Sequence, residues 1–225
     1  LDELARERDR IIVAAALEQL GIKVRVSLPG VGENLMDHPV VGVWAIPKAQ
    51  ASVIGEPLRQ TLLRYTSSGS NYRNDMHICM MAGIDVREMF PTRASTSSLP
   101  TIAGVTACFN KSTSRGHVRL TSADPYAQPK VVINCLGNKE DIAPLKEGVR
   151  LAWELAHHPR LFPLFEQTLA WTDGMIKSDV ALEKAIATFV RPSAHVGGSA
   201  KMGRSSDADA VVDAATSADD FRLED

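Results

Sequence analysis

Cysteine is scarce in this chain. Cys79, Cys108 and Cys135 are the only three, and no two form a C-x-x-C pair. An odd count without close pairs excludes a disulfide framework and a cysteine-based zinc site. Free, buried thiols are the expectation, and they point to a reducing compartment such as the cytoplasm. An excess of one charge is also missing. Lysine and arginine number 25 against 27 acidic residues, for a net charge of -2. That balance offers no basic surface for phosphates and argues against a nucleic-acid partner. No hydrophobic run approaches the roughly 18 residues of a membrane span; the most apolar window, Ile11 to Leu17, is short and amphipathic. No internal repeat is visible. The first residue is Leu1 rather than methionine, so a removed targeting segment stays open.

What is present is an ordinary globular composition, 44% hydrophobic and 23% charged over 225 residues. That length suggests one large domain or two small ones. Leu1 to Leu20 carries a helical stripe, with Gly21 as a natural C′ residue. Ile22 to Leu28 alternates as a half-buried strand would. Pro29 to Pro39 reads PGVGENLMDHP. Its Gly30-x-Gly32 lacks a third glycine and a following helix, so it is a tight functional loop and not a dinucleotide fingerprint. Val40 to Ile46 reads as a strand and Glu56 to Tyr65 as a short helix. Thr66 to Asn74 is loop, Asp75 to Ala82 strand, and Arg87 to Pro100 an irregular segment long enough for a lid. Thr101 to Asn110, His117 to Thr121 and Lys130 to Asn134 are further strands, with Ser112 to Gly116 expected as the turn between the first two. A strong helix runs from about Ile142 to His157 with Asp141 as N-cap, and another from Ser178, its N-cap, to Phe189. His157 and His158 fall at a helix C-terminus, where the dipole explains them. Together these elements predict an α+β fold: a mainly antiparallel sheet of five to six strands flanked by helices. Residues 1–203 are expected to form the domain and residues 204–225 an acidic, poorly packed tail.

One stretch stands out for chemistry, FVRPSAHVGGSAKMG from Phe189 to Gly203. His195 follows a predicted helix and precedes Gly197 and Gly198, which let backbone or ligand approach the imidazole closely. Imidazole is the side chain best suited to exchanging protons near neutral pH. The structural alternative is a histidine that caps or packs a turn.

Four motifs occur in order: LPGVGENLMDHP (Leu28 to Pro39), SRGHVRLTSADPYAQPKVVIN (Ser114 to Asn134), DIAPLKEGVRLAWELA (Asp141 to Ala156) and HVGGSAKMG (His195 to Gly203). Together they resemble the C-terminal half of the glucose–methanol–choline (GMC) flavoprotein oxidoreductases, over most of the chain from Leu17 to Asp213. The resemblance implies a substrate-binding domain, with His195 as the catalytic histidine that takes the alcohol proton while hydride moves to FAD. It places Asn34, Asp37 and His38 in the loop against the flavin, and Gly198 and Ser199 in a Gly-Thr-like pair near the ring. Gly197 joins them as a ligand-contacting position.

This chain departs from the family pattern in lacking the GxGxxG that holds the ADP part of FAD, and the Ser-Gly-Ile-Gly expected before LEQLGI, where IIVAAA stands. The family's second catalytic His or Asn would lie beyond Asp225. These departures lead to the expectation that the chain binds no cofactor alone, FAD entering only through a partner chain. The leading functional expectation is a hydrophobic small-molecule substrate and a non-redox step: cyclisation, pericyclic reaction, isomerisation or elimination. His195 would move the proton, with Ser199 or Lys201 as candidate helpers; a solvated surface role is the preferred reading of Lys201, and Arg115 and Arg119 are read as sheet-edge charges rather than substrate clamps. The alternatives are a fragment or subunit of an FAD-dependent alcohol oxidoreductase, and a non-catalytic partner of a full-length enzyme. Either a second copy or a partner chain is expected to cover the apolar face that a flavin lobe would otherwise cover.

Overall fold

The computed structural model describes residue 14 and residues 16–89, 101–204 and 206–213, with the backbone alone at Gln60, Glu88 and Met89. In chain order the elements are β1 (Pro39–Pro47), β2 (Arg59–Tyr65), β3 (Met76–Asp85), α1 (Val86–Met89), β4 (Thr101–Phe109), β5 (His117–Arg119), β6 (Lys130–Val132), α2 (Ile142–Ala156), β7 (Phe165–Thr168), α3 (Asp173–Lys177), α4 (Asp179–Phe189) and β8 (Arg191–Pro192). They fall into two compact units. A sheet unit joins His38–Thr113 with Cys135–Ala194; a loop unit joins Leu1–Asp37, Ser114–Asn134 and His195–Asp225.

The sheet unit is α+β, as the patterning predicts. Its antiparallel sheet runs β2-β3-β4-β1-β7, and β8 also pairs with β1. Strand alternation puts Val41, Val43 and Ala45 of β1, Met76 and Ile78 of β3, and Ala103, Val105 and Ala107 of β4 on one face. That face packs against Leu145, Val149 and Ala152 of α2 and Leu182, Ala185 and Ile186 of α4, all buried. A full burial of this kind stabilises by about 1.5–3 kcal/mol per large aliphatic side chain. The opposite face carries a smaller cluster of Cys79, Met81, Ile84, Val86 and Ile102, with Trp44 packed against it. The Trp44 indole lies over Gly42 and Gly104, where added Cβ atoms would come within 2.3 and 2.7 Å of its ring.

Both long helices start where the capping residues predict. Ser178 accepts a hydrogen bond from the Ala181 amide at the start of α4. Asp141 sits at the N-cap of α2 but makes no side-chain cap bond. Its buried carboxylate instead accepts from the Ser112 hydroxyl (2.5 Å) and from the Thr113 amide and hydroxyl (both 2.8 Å). It therefore fastens the end of the β4 connection to the start of α2. His157 behaves as the C-terminal residue the sequence suggests, with Nδ1 2.9 Å from the Trp153 carbonyl oxygen.

Three local expectations fail. Residues 56–65 hold no helix; Arg59–Tyr65 is strand β2, in register with β3 from Thr61↔Met80 to Tyr65↔Met76. Leu58, Leu62 and Leu63 suggest the inward face of a helix, but on this edge strand Leu62 and Leu63 point to opposite faces and both are exposed. Residues 22–28 alternate yet form no strand; among the described residues no strand lies alongside them, and Val26 is 70% exposed. The segment 112–116 is no hairpin turn, because β4 pairs with β1 and β3 while β5 pairs with β6. The first helix is described at residues 14 and 16–19. Its end matches expectation: Gly21 has φ +74, the Gly21 amide donates to the Glu18 carbonyl, and the Ile22 amide donates to that of Leu17. This pair of bonds is a Schellman cap. The lid expected within 87–100 lies outside the described residues beyond Met89, as does most of the acidic tail.

Candidate functional site

The loop unit is organised around residues 32–37, which run between two other segments. On one side Leu35 exchanges both backbone hydrogen bonds with Gly116, at 3.0 and 2.7 Å, and the Val118 amide donates to the Gly32 carbonyl (2.7 Å). On the other side Met36 exchanges both with Gly197, at 2.9 and 3.0 Å, and the Gly32 amide donates to the Ser199 carbonyl (2.9 Å). The PGVGENLMDHP loop is thus a short strip with a neighbour on each edge.

Side chains reinforce it. The buried Asp37 carboxylate accepts the His195 backbone amide at 3.0 Å. Asn34 adopts φ +57, a left-handed conformation that asparagine tolerates. Its Nδ2 donates to the Gly198 carbonyl at 3.2 Å. Gly198 has φ +89, and a Cβ there would lie 2.4 Å from the Asn34 carbonyl oxygen, so glycine is required twice over. A Cβ on Gly197 would meet nothing within 4 Å, and Gly197 is exposed.

His195 therefore follows a strained residue and is separated by Val196 from two residues without side chains, Gly197 and Gly198. Ala194, just before it, has φ +63, which costs an alanine on the order of 1–3 kcal/mol. The His195 backbone is fixed to Asp37 while the residue as a whole is exposed. A held backbone on an exposed histidine suits proton transfer to or from a bound molecule.

Of the residues expected at a site, the structure brings together Asn34, Asp37, His195, Gly197, Gly198 and Ser199, all in the loop unit. His38 belongs to the sheet unit, where its carbonyl accepts the Ser193 amide at 3.1 Å, beside the β1–β8 pairing.

Residues 112–220, which include His195 and its glycines, match the family model for the C-terminal region of GMC oxidoreductases. The chain carries a GMC oxidoreductase C-terminal domain. It is 31% identical over 216 residues to the 5-(hydroxymethyl)furfural oxidase of Methylovorus sp. (strain MP688), covering 90% of this chain and 39% of that protein. It is 26% identical over 217 residues to the oxygen-dependent choline dehydrogenase 1 of Chromohalobacter salexigens, covering 88% and 39% respectively. The chain thus spans about two-fifths of the length of these relatives. In fold it is similar to the crystal structure of pyridoxine 4-oxidase from "Mesorbium loti", with a TM-score of 0.71 at 19% identity, over 92% of this chain and 41% of that one.

One charge in this GMC domain differs from the sequence reading. Arg115 is no sheet-edge charge: its Nε donates to Asn34 Oδ1 at 2.9 Å. The signal lay in its place within the SRG motif, beside the Gly116 that pairs with Leu35, but nothing in the linear pattern names Asn34 as its partner. Lys201 pairs with Asp207 at 2.7 Å. Asp207 is held below the usual carboxylate range, by the Lys201 hydrogen bond first and the Asp209 amide second. A lysine so engaged fits the charged-surface role better than that of proton-transfer helper. Arg119 pairs with Glu33. Among the described residues no His, Cys, Asp or Glu cluster could hold a metal ion, and no helix is long and apolar enough to cross a membrane.

Proposed function

We propose that this chain forms the substrate side of a flavin-dependent oxidoreductase acting on a primary alcohol, with His195 accepting the hydroxyl proton. The observation that carries the reading is the fixed backbone of His195, a residue exposed as a whole, close to the bare Gly197–Gly198 strip. The strip also bears on fit: a flat ring can lie along backbone only where no Cβ intervenes, and Gly197 leaves that space open. Asn34, Gly197, Gly198 and Ser199 would line a flavin there. When bound, such a cofactor supplies a hydride acceptor. The chain's own part is to orient the hydroxyl and take its proton at the His195 imidazole, so that loss of that proton and of the carbinol hydride leaves an aldehyde.

The oxidase and dehydrogenase names of the relatives support a redox step and indicate hydroxymethylfurfural-like or choline-like alcohols as first substrates to try. The flavin would arrive with a further lobe. The exposed Val26, Leu28, Val31, Val196 and Met202 of the loop unit are suited to meeting an apolar partner surface. Cyclisation, isomerisation or elimination in the same pocket is the competing reading, and one experiment separates the two. The flavin-loaded protein that contains this chain is mixed anaerobically with 5-(hydroxymethyl)furfural or choline, and the flavin absorbance is followed. Bleaching with aldehyde formation supports the proposal. Conversion of a substrate with no change in its oxidation level, and by flavin-free protein, would replace it with the non-redox reading.

A further inference from the structure

Side chains as well as backbone tie the 32–37 strip to both of its neighbours. We propose that Arg115 is a positioning residue for the His195 loop and acts through Asn34. The Arg115 Nε donates to Asn34 Oδ1 (2.9 Å), and the amide of the same side chain donates from Nδ2 to the Gly198 carbonyl (3.2 Å). The relay thus crosses the 32–37 strip from its 115 edge to its 198 edge.

The guanidinium fixes which way the amide faces. A cation can only donate, so Asn34 must present Oδ1 to Arg115 and is left with Nδ2 for Gly198. With the amide reversed, Oδ1 would face the Gly198 carbonyl, and two acceptors would repel. Arg115 is itself held at both ends of its backbone and side chain. Its Nη1 donates to the Ser114 carbonyl (2.8 Å), and its own carbonyl accepts from Asn134 Nδ2 (2.9 Å). The charge-assisted first bond polarises the second, because bonds in series strengthen one another. The Met36–Gly197 and Gly32–Ser199 backbone bonds then lie on either side of the Gly198 contact, so the amide sets the spacing of the segment that follows His195.

The catalytic consequence rests on the reading given under Proposed function; the effect on the loop does not. The test is a double-mutant cycle of Arg115→Gln and Asn34→Ala, with Arg115→Lys as the conservative variant. Amide exchange of Gly32, Met36 and Gly197 is read in the full chain, with the Val41, Val43 and Val105 amides as internal controls. Each single substitution is expected to speed exchange at the three loop amides about tenfold, roughly the loss of one charge-assisted hydrogen bond. The double variant is expected to be no faster than the singles, and the lysine variant intermediate. In the flavin-loaded protein the same cycle should lower kcat roughly tenfold to a hundredfold with KM within about threefold, again without adding up. Additive effects, or loop exchange unchanged in Arg115→Gln, would overturn the proposal. Should the unsubstituted protein oxidise no alcohol, the function proposed above fails, while the exchange cycle still decides the role of Arg115.

Discussion

The two units of this chain are held together by different forces. In the sheet unit, regular ladders carry a continuous apolar core, with Val41, Val43, Leu145, Val149, Leu182 and Ile186 fully shielded from solvent. In the loop unit, Leu35 is the one buried apolar side chain among the described residues. Its buried groups there include the carboxylate of Asp37, and its segments meet at isolated bridges, Leu35↔Gly116 and Met36↔Gly197, each with one further backbone bond beside it. Every residue brought together at the candidate site lies in the loop unit, where the described residues form no apolar core cluster. Burial is non-directional and tolerates small shifts, whereas hydrogen bonds fix position. The difference teaches that this protein builds its scaffold from the first and positions its candidate site with the second.

Three substitutions probe that contrast. The largest effect is expected in the sheet unit. Leu145→Ala removes a fully buried side chain and should cost about 2–5 kcal/mol of unfolding free energy in a denaturant titration, because the cavity only partly collapses. A cost below about 1 kcal/mol would mean that this core is not what holds the unit. In the loop unit, Gly198→Ala should cost less, roughly 1–3 kcal/mol, through a strained φ and a Cβ pressed against the Asn34 carbonyl. It should appear as faster exchange of the Gly197 amide with β1 and β4 amides unchanged; equal acceleration everywhere would erase the distinction between the units.

The smallest effect reverses sign. The Tyr65 hydroxyl is buried with no hydrogen-bond partner among the described residues. Burial, then the charges of Glu147 and Asp75, push its pKa up to about 12. Tyr65→Phe should therefore stabilise the protein by about 1 kcal/mol near neutral pH. The folded chain keeps the phenol proton where the unfolded chain has begun to lose it, so native stability falls as pH rises from about 10 through about 12. The phenylalanine variant should lack that part of the alkaline decline, which paired unfolding curves at pH 9 and 11 would reveal.

The same contrast explains how much of the molecule was legible in its sequence. Local signals worked where the chain closes on itself. Ser178 caps α4, Gly21 terminates the first helix, and the apolar alternation of β1, β3 and β4 marks their buried face. They failed where a partner decides. The Leu62-Leu63 pair belongs to an edge strand because β3 lies beside it, and residues 22–28 form no strand because none does. At the candidate site, the glycines after His195 and the motif likeness pointed to two segments, 32–37 and 195–199, that the structure brings side by side. The Arg115–Asn34–Gly198 relay joins residues 81 and 164 positions apart. No periodicity encodes such a separation, and only the folded backbone brings the three together.

The most direct test of a chemical role for the loop unit is the anaerobic rate of flavin bleaching by a primary alcohol in the His195→Ala variant, against the unsubstituted protein. His195 is exposed and meets Asp37 through its backbone amide, which alanine retains. The fold should therefore survive while the rate falls by about 10²–10⁴, as expected for loss of a positioned base. An unchanged rate in a variant of normal stability would contradict the account.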